Sequence, residues 1–501
     1  MMKISKLKNK LSQCDTYQQW QALALEIDHL KGMDDWRQSK HSDDYPFRLI
    51  EAHSLQLQIL LNAKNYSALL IFVQESLYRS VSELSNPKLY RYALSGTKSL
   101  ITAYLNLIDL ALNTLCDNDI PGMSSKKKLS LLIQAEKNFG RPALMLSGGG
   151  TFGIYHLGVV SSLIEQQLLP NIISGTSMGS IAAGVLATHH DHEIKALMAA
   201  PENSHFQPLK QLTLTDIFQQ KAWLDSEQLY QCIHSNIGDF TFKEAYDRTG
   251  REVSITVSPA RSGQKPRILN YQTAPDVLIS YAAKASCSVP GLFPSCSLKA
   301  RAKDGSIVPY MASERWVDGS FASDIPRKRI SRLHNANYFI VSQANPHIVP
   351  FISQRQHSGV IATAKDLAVT SLYSQGNALL KVARRRLHKQ PWRSWLDHAS
   401  FMLDQDYLGD INIHPQFPPS WYLKFMKNPN DNERDFLLKM GERATWPKLA
   451  MIDDQTRVSR TLQACIKRLS HTQKPSRLVT KVDQKATATL PESKMNKPLP
   501  V

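Results

Sequence analysis

Long apolar stretches and closely paired cysteines are both missing from this chain of 501 residues. No window approaches the roughly 20 consecutive apolar residues of a membrane-spanning helix, so we expect any membrane contact to be peripheral. Residues 1–14 contain lysines but no apolar stretch of the kind that a secretory signal needs. The six cysteines are dispersed without a C-x-x-C pair, which disfavours a zinc site or a disulfide framework. We therefore expect reduced thiols and a cytoplasmic protein.

Acidic residues are too few to balance the basic ones. Lys and Arg number 60 against 43 Asp and Glu, a formal net charge of +17. A surface of this sign attracts phosphate-bearing partners, either anionic membranes or nucleic acid. No nucleic-acid recognition motif accompanies the charge, so we predict no nucleic-acid partner.

The spacing of apolar residues divides the chain into four regions. Trp20, Leu23, Ile27 and Leu30 recur at helical steps, which predicts an all-helical N-terminal domain over residues 1–138. Two short apolar runs, each followed by a glycine turn and a helical pattern, predict an α/β core with a mainly parallel sheet over residues 139–350. A helical C-terminal extension over residues 351–469 and a disordered basic tail over residues 470–501 complete the prediction.

The second of these glycine turns has the pattern G-x-S-x-G at Gly175-Thr176-Ser177-Met178-Gly179. In this pattern a serine lies on a sharp strand-to-helix turn, and the flanking glycines remove side chains that would collide there. A plain glycine turn that packs a helix on a sheet is the alternative. The short apolar strand before it and the small-residue helix after it favour a nucleophilic Ser177.

The first glycine turn, Ser147-Gly148-Gly149-Gly150, also lies between a strand and a helix. Unhindered amides at a helix N-terminus can hold an anion, and acyl transfer needs such donors for its tetrahedral oxyanion. A dinucleotide loop is the alternative, but the acidic ribose partner expected about 20 residues further on is missing. The nearest acid, Glu165, falls within the predicted helix.

A third feature, Trp316-Val317-Asp318-Gly319-Ser320, places a carboxylate at the end of a short apolar run. Such an aspartate can be held rigidly at a strand end, although Asp-Gly is also common in ordinary turns. The pattern alone leaves both interpretations open. The two preceding motifs favour a functional Asp318.

In this order the three motifs resemble the patatin-like phospholipase family, and the resemblance extends to Ala285–Phe293. It implies a patatin-like three-layer core and a lipid acyl hydrolase of the triacylglycerol lipase or phospholipase A type without cofactor or metal. Ser177 would be the nucleophile, Asp318 its base, Gly148, Gly149 and Gly150 the oxyanion hole, and Gly175 and Gly179 the glycines of the nucleophile elbow. The chain departs from many patatins at Phe152, where a basic residue is common.

The resemblance also covers both flanking regions. The helical N-terminal part is similar to the domain that precedes the patatin core in fungal triacylglycerol lipases and plant oil-body lipases, as is the C-terminal part. The N-terminal residues that carry this similarity are Trp20, Asp28, Gly32, Trp36, Tyr90 and Gly96-Thr97-Lys98. The C-terminal ones are Gly409-Asp410-Ile411 and Trp446-Pro447-Lys448.

Other interpretations remain. A Ser-Asp-His triad could use His334, His347 or His398, and a catalytically idle lipid-binding scaffold or a nucleotide-binding regulator could keep the same shape. An insoluble lipid ester as substrate calls for peripheral docking on a membrane or lipid droplet. The segment Leu379–Trp395, in which apolar and basic residues mix as in an interfacial helix, is the predicted contact. The sequence leaves the oligomeric state open.

Overall fold

The N-terminal region consists of helices, as predicted. The computed structural model describes residues 2–79, 84, 86–199, 207–213, 215–217, 222–261, 264–346, 348–349 and 407–472. The helices of this region are α1 Met2–Leu11, α2 Tyr17–Leu30, α3 Met33–Gln38, α4 Phe47–Asn62, α5 Tyr66–Arg79, α6 Ser99–Asp117 and α7 Ser125–Phe139. Local chemistry sets their ends: α2 begins after Thr16, whose hydroxyl accepts a hydrogen bond from the Gln19 amide.

The core of this helical region is completed by the last helix of the chain, α17 (Leu449–Thr472). Val458, Leu462 and Cys465 of α17 are buried among the side chains of α4, α6 and α7. Earlier on the same helix, Met451 and Ile452 are buried in the core of the α/β region. One helix therefore joins both hydrophobic cores, although the sequence places it in a separate C-terminal extension.

The sequence predicts no segment that is long and apolar enough to span a membrane, and helix α6 is an exception to that prediction. By length and composition it meets that description, alone among the helices that the structure describes. Its apolar face, which includes Ile101, Ile108 and Leu112, is buried in the helical core. The packing of a core helix explains its composition.

The second region is built on a sheet of seven strands within the described residues. The strands of the structure are β1 Arg141–Leu146, β2 Ile172–Gly175, β3 Glu252–Pro259, β4 Arg267–Leu269, β5 Leu298–Arg301, β6 Ile307–Tyr310, β7 Trp316–Asp318, β8 Ala336–Ser342 and β9 Ile411–Ile413. The order is β4-β3-β2-β1-β8-β9, with β7 paired to β3, while β5 and β6 form a separate hairpin. The pairs β3-β2, β2-β1, β1-β8 and β8-β9 are parallel, whereas β4 and β7 run antiparallel to β3.

Both faces of this sheet are buried. Leu144 and Leu146 of β1 contribute to one hydrophobic cluster, whereas Ala143 and Met145 contribute to another. Because successive side chains of a strand point to opposite faces, each face has its own apolar layer. The predicted three-layer α/β core with a mainly parallel sheet is confirmed. Its sheet also includes β9, which pairs with β8.

The helices that cover the sheet include one unusually close pair. They are α8 Tyr155–Glu165, α9 Met178–Thr188, α10 Asp191–Ala199, α11 Ser226–Ile237, α12 Phe242–Thr249, α13 Ile279–Cys287, α14 Ser320–Ser323, α15 Arg327–His334 and α16 Asp431–Thr445. A Cβ atom at Gly158 of α8 would lie 1.9 Å from the Leu438 carbonyl oxygen, and one at Gly441 of α16 would lie 2.2 Å from that of Tyr155. These glycines let α16 pack directly against the helix that follows the glycine loop.

Candidate active site

Ser177 lies on the turn that joins β2 to α9. Its backbone has φ 51° and ψ −129°, a conformation that is costly for a residue with a side chain. A Cβ atom at Gly175 would lie 2.2 Å from the Gly179 carbonyl oxygen, and one at Gly179 would lie 2.3 Å from that of Leu146. Only glycines allow this tight turn, which presents the Ser177 side chain to a pocket.

Asp318 reaches the same pocket from β7, at the far end of β3. It pairs with Val257, two residues after Ile255, which pairs with Gly175 before the serine turn. The Asp318 amide donates to the Ser288 carbonyl at 2.9 Å. The block Ala285–Phe293 therefore helps to hold the aspartate, and the Ser286 hydroxyl in turn accepts from the Ser177 amide at 2.9 Å.

The Asp318 carboxylate is buried with few partners. Its Oδ1 accepts from the Ser320 amide at 2.7 Å, whereas its Oδ2 has no hydrogen-bond partner in the described part of the chain. Burial raises the pKa of Asp318 to about 6, although hydrogen bonding from Ser320 and from the Ser177 side chain lowers it. The Ser177 hydroxyl is thus close enough to influence the carboxylate, but it does not satisfy Oδ2 with a well-aligned hydrogen bond.

The glycine loop lies beside this pair. A Cβ atom at Gly148 would lie 3.3 Å from the Ser177 Cβ. The Gly148 amide is engaged, because it donates to Asp324 Oδ1 at 2.8 Å. Among the described residues, no group accepts from the amides of Gly149 or Gly150, which lie where a short 3-10 helix leads into α8. This geometry leaves two of the three predicted donors available to an oxyanion.

The pocket around Ser177 is largely apolar and measures about 860 Å³ together with the open solvent at its mouth. Its apolar walls are formed by Met178, Leu229, Val289, Leu292, Phe293 and Phe425. Asp318 is the only charged residue among the described residues that line it. Phe152 is buried and packs on Phe417 with ring centroids 4.2 Å apart, so the position that is often basic in patatins belongs here to the core.

Three features of the site were not predicted from the sequence. Asp324 is buried and hydrogen-bonded to the glycine loop, and Asn345 lines the pocket and donates to Asp324 Oδ2 at 2.5 Å. Burial, reinforced by the charge of Asp318, raises the pKa of Asp324 to about 7. A carboxylate six positions after Asp318 is a weak signal, and nothing in the sequence connects it with Gly148. The third feature is the segment around Phe425, whose carbonyl accepts from the Thr151 amide at 3.0 Å.

The histidine alternative finds no support at His334. That residue lies at the opposite end of β3, where its Nδ1 is 2.7 Å from a Glu252 carboxylate oxygen and its Nε2 is 3.1 Å from the Ser254 hydroxyl. Glu252 begins the strand, whereas Asp318 pairs near its end. His347 and His398 lie outside the described residues, as does Leu379–Trp395.

The three-layer fold with its serine turn and glycine loop defines an α/β protein with the arrangement of a serine hydrolase. Residues 144–329 match the patatin-like phospholipase family, and residues 2–137 match a domain of unknown function, DUF3336. The chain is 32% identical to triacylglycerol lipase ptl3 of Schizosaccharomyces pombe over 93% of its own length and 98% of that protein. The protein therefore belongs to the patatin-like phospholipase family.

Other relatives are longer than this chain. Triacylglycerol lipase 4 of Saccharomyces cerevisiae is 33% identical over 90% of this chain, but the match spans only 52% of that protein. Triacylglycerol lipase SDP1L of Arabidopsis thaliana is 30% identical over 93% of this chain and 59% of its own length. The solved structure of VipD from Legionella pneumophila matches with a TM-score of 0.32 and 14% identity over 65% of this chain and 67% of that one, too low to bear on the fold.

Proposed function

We propose that this protein hydrolyses fatty-acyl esters of lipids with Ser177 as nucleophile and Asp318 as general base. The observation that carries the proposal is the placement of a strained serine beside a buried, incompletely hydrogen-bonded carboxylate in an apolar pocket. A carboxylate with a raised pKa is a better proton acceptor than an ordinary aspartate. The names of the relatives agree with an ester of this kind.

In the proposed reaction, Asp318 accepts the hydroxyl proton while Ser177 Oγ attacks the ester carbonyl. The amides of Gly149 and Gly150 stabilise the oxyanion of the tetrahedral intermediate. This intermediate collapses to an acyl-serine as the leaving alcohol takes the proton from Asp318. Water then attacks the acyl-serine, returns a proton to Asp318 and releases the fatty acid, after which the proton returns to Ser177.

The pocket favours a neutral acylglycerol over a phospholipid. No lysine, arginine or histidine is among the described residues that line it. A buried phosphate without a cationic partner would have a large desolvation cost. We therefore infer that triacylglycerol or another uncharged glyceride is hydrolysed faster than phosphatidylcholine.

We further propose that the protein reaches its insoluble substrate by peripheral docking on a membrane or lipid droplet in the cytoplasm. The basic segment Leu379–Trp395 is the candidate contact, since each cation near an anionic surface contributes about 1 kcal/mol. Co-sedimentation with anionic liposomes at low salt would compare wild type with a variant in which Lys381, Arg384, Arg385, Arg386, Lys389 and Arg393 are changed to Gln. Equal binding would exclude this segment.

The test of the catalytic proposal is Ser177→Ala. This change removes one oxygen and should abolish both fatty-acid release and labelling by a fluorophosphonate, without lowering the melting temperature by more than a few degrees. Purified wild type and variant would be compared on emulsified trioleoylglycerol and on phosphatidylcholine. Hydrolysis that persists in the variant would refute the serine mechanism, whereas a wild type that prefers phosphatidylcholine would refute only the substrate class.

A further inference from the structure

A second apolar cavity adjoins the pocket of Ser177. It lies between α8, α9, α10 and α11 and measures about 880 Å³ together with the open solvent at its mouth. Its apolar lining includes Leu157, Ile181, Val185, Ile194, Leu197 and Met198. The two spaces share three lining residues, Thr151, Met178 and Pro208. The two spaces are therefore neighbours that meet at the residue next to Ser177.

Met178, the residue directly after Ser177, stands between the two spaces. Its Cβ atom lies against the short 3-10 helix that follows the glycine loop, because a Cβ atom at Gly153 would be 2.4 Å from it. Methionine is unbranched and adapts to its neighbours, so its side chain can make way for a hydrocarbon chain. Resting on the proposed function, we infer that the second cavity binds the fatty-acyl chain that is esterified to Ser177, while the alcohol part occupies the serine pocket.

The proposal is tested by a substitution that fills part of the second cavity with a larger side chain. Met198→Trp on α10 adds volume at a half-buried lining position, and Ala196→Trp, exposed on the same helix and outside the cavity, is the matched control. Each methylene that is withdrawn from water contributes roughly a fourfold factor. We expect Met198→Trp to lower the ratio of kcat/KM for 4-nitrophenyl palmitate over the butyrate ester at least tenfold, and Ala196→Trp to leave that ratio unchanged.

An unchanged ratio in folded Met198→Trp would overturn the assignment of the acyl chain. If that variant melts well below wild type, Leu197→Trp at the same cavity decides by the same ratio. A wild type that hydrolyses neither ester would instead contradict the proposed function. The two failures are therefore distinguishable.

A different observation singles out Asp324, which is buried and connects three segments of the site. Its Oδ1 accepts from the Gly148 amide at 2.8 Å, and its Oδ2 accepts from Asn345 Nδ2 at 2.5 Å. Its backbone carbonyl accepts from the Thr176 hydroxyl at 2.9 Å, next to the nucleophile. The glycine loop, the serine turn and the segment after β8 thus meet at one side chain and its peptide.

The hydrogen bond from the Gly148 amide to Asp324 fixes the direction in which the amides of Gly149 and Gly150 point. A Cβ atom at Gly149 would lie 2.9 Å from the Ala344 carbonyl oxygen, and one at Gly150 would lie 2.5 Å from that of Phe425. The loop is thus confined on both sides and fastened at its start by a carboxylate. We propose that Asp324 is a positioning residue that orients the oxyanion donors without touching the substrate.

Asp324→Ala and Asp324→Asn test this role. Donors of this kind act in the transition state more than in substrate binding, so Asp324→Ala should lower kcat at least tenfold with a KM within threefold of wild type. Asp324→Asn should lie between that variant and wild type, because its oxygen can still accept from Gly148 while its amide opposes that of Asn345. The control is Asp28→Asn in the helical region, since Asp28 also accepts backbone amides while buried.

The control should lower the melting temperature and leave the kcat of folded protein unchanged. A wild-type kcat in folded Asp324→Ala, or an equal loss of kcat in Asp28→Asn, would overturn the positioning role. If Asp324→Ala does not fold, a wild-type kcat in Asp324→Asn overturns it.

Discussion

The buried charges of the helical region differ from Asp318 of the core in how far their hydrogen bonds are completed. In the helical region, Asp28 accepts from the amides of Leu94 and Ser95 and from the Ser95 hydroxyl. Lys98 there donates to three carbonyl oxygens and lies 4.4 Å from the centre of the Trp36 ring. In the catalytic core, Asp318 has one amide partner and an oxygen that has none among the described residues.

This difference distinguishes buried ions that stabilise the fold from a buried carboxylate that can accept a proton. A buried ion whose hydrogen bonds are complete holds its neighbours in one arrangement, because losing it would leave them unpaired. A buried carboxylate that lacks hydrogen-bond partners is destabilised by desolvation, and accepting a proton removes much of that cost. Departures from full satisfaction are expected at functional sites, and Asp318 is such a departure.

The largest expected effect comes from changing Asp318, the buried carboxylate whose Oδ2 has no hydrogen-bond partner among the described residues. Asp318→Asn removes the proton acceptor and should lower kcat by about three to four orders of magnitude, as loss of a base partner does in related mechanisms. The same change removes a buried charge, so the melting temperature at pH 8 should stay level or rise. Single-turnover kinetics and thermal unfolding would measure the two effects. A variant with more than a tenth of the wild-type rate would exclude Asp318 as the base.

The pH dependence sharpens the same point. Since the pKa of folded Asp318 is about 6, kcat/KM should fall about tenfold per pH unit below 6, as the base becomes protonated. The folded pKa exceeds the ordinary value of 3.8, so the folded state holds this proton more tightly. The contribution of Asp318 to stability therefore increases as the pH falls from about 6 towards 3.8. Denaturation of wild type and Asp318→Asn at several pH values would isolate that contribution; identical pH dependences would contradict it.

A change at Lys98 of the helical region, whose ammonium group donates to three carbonyl oxygens, should affect stability alone. Lys98→Met would leave the carbonyls of Trp36, Ser39 and His41 without their donor, at a cost of about 3 kcal/mol in the free energy of unfolding. The kcat of the folded variant should match wild type because Lys98 lies in the helical core. Urea denaturation and an assay below the transition would show this. A loss of kcat at full folding would mean that the helical region takes part in catalysis.

Much of the fold could be predicted because its signals are local. Helical spacing predicts α2, and the two strand-turn-helix patterns predict β1, β2 and the parallel sheet. The pairing of β9 with β8 and the packing of α17 into the N-terminal core join residues far apart in sequence. Such contacts leave no periodicity, so the boundaries at residues 139, 351 and 470 stay predictions.

The candidate site divides in the same way. Ser177 and its glycines belong to a compact motif whose backbone strain requires those residue types. The proximity of Asp318 depends on an antiparallel strand that pairs β7 with β3, and only the family resemblance indicates it. The engagement of Gly148 by Asp324 depends on three-dimensional contact alone, so the sequence offers three equivalent amides where the structure offers two.

The smallest expected effect concerns Cys287, a buried thiol that lines the Ser177 pocket beside the proposed catalytic pair. Burial raises the pKa of this thiol well above its ordinary value, and the charge of Asp318 raises it further. A thiol in this state is a poor nucleophile and packs as a small apolar side chain. Cys287→Ala should therefore keep kcat within about threefold of wild type, with a modest loss of stability from the missing sulfur. Iodoacetamide at pH 7 should leave the wild-type rate unchanged. Rapid inactivation that Cys287→Ala prevents would show a reactive thiol here and would place a second nucleophile next to Ser177.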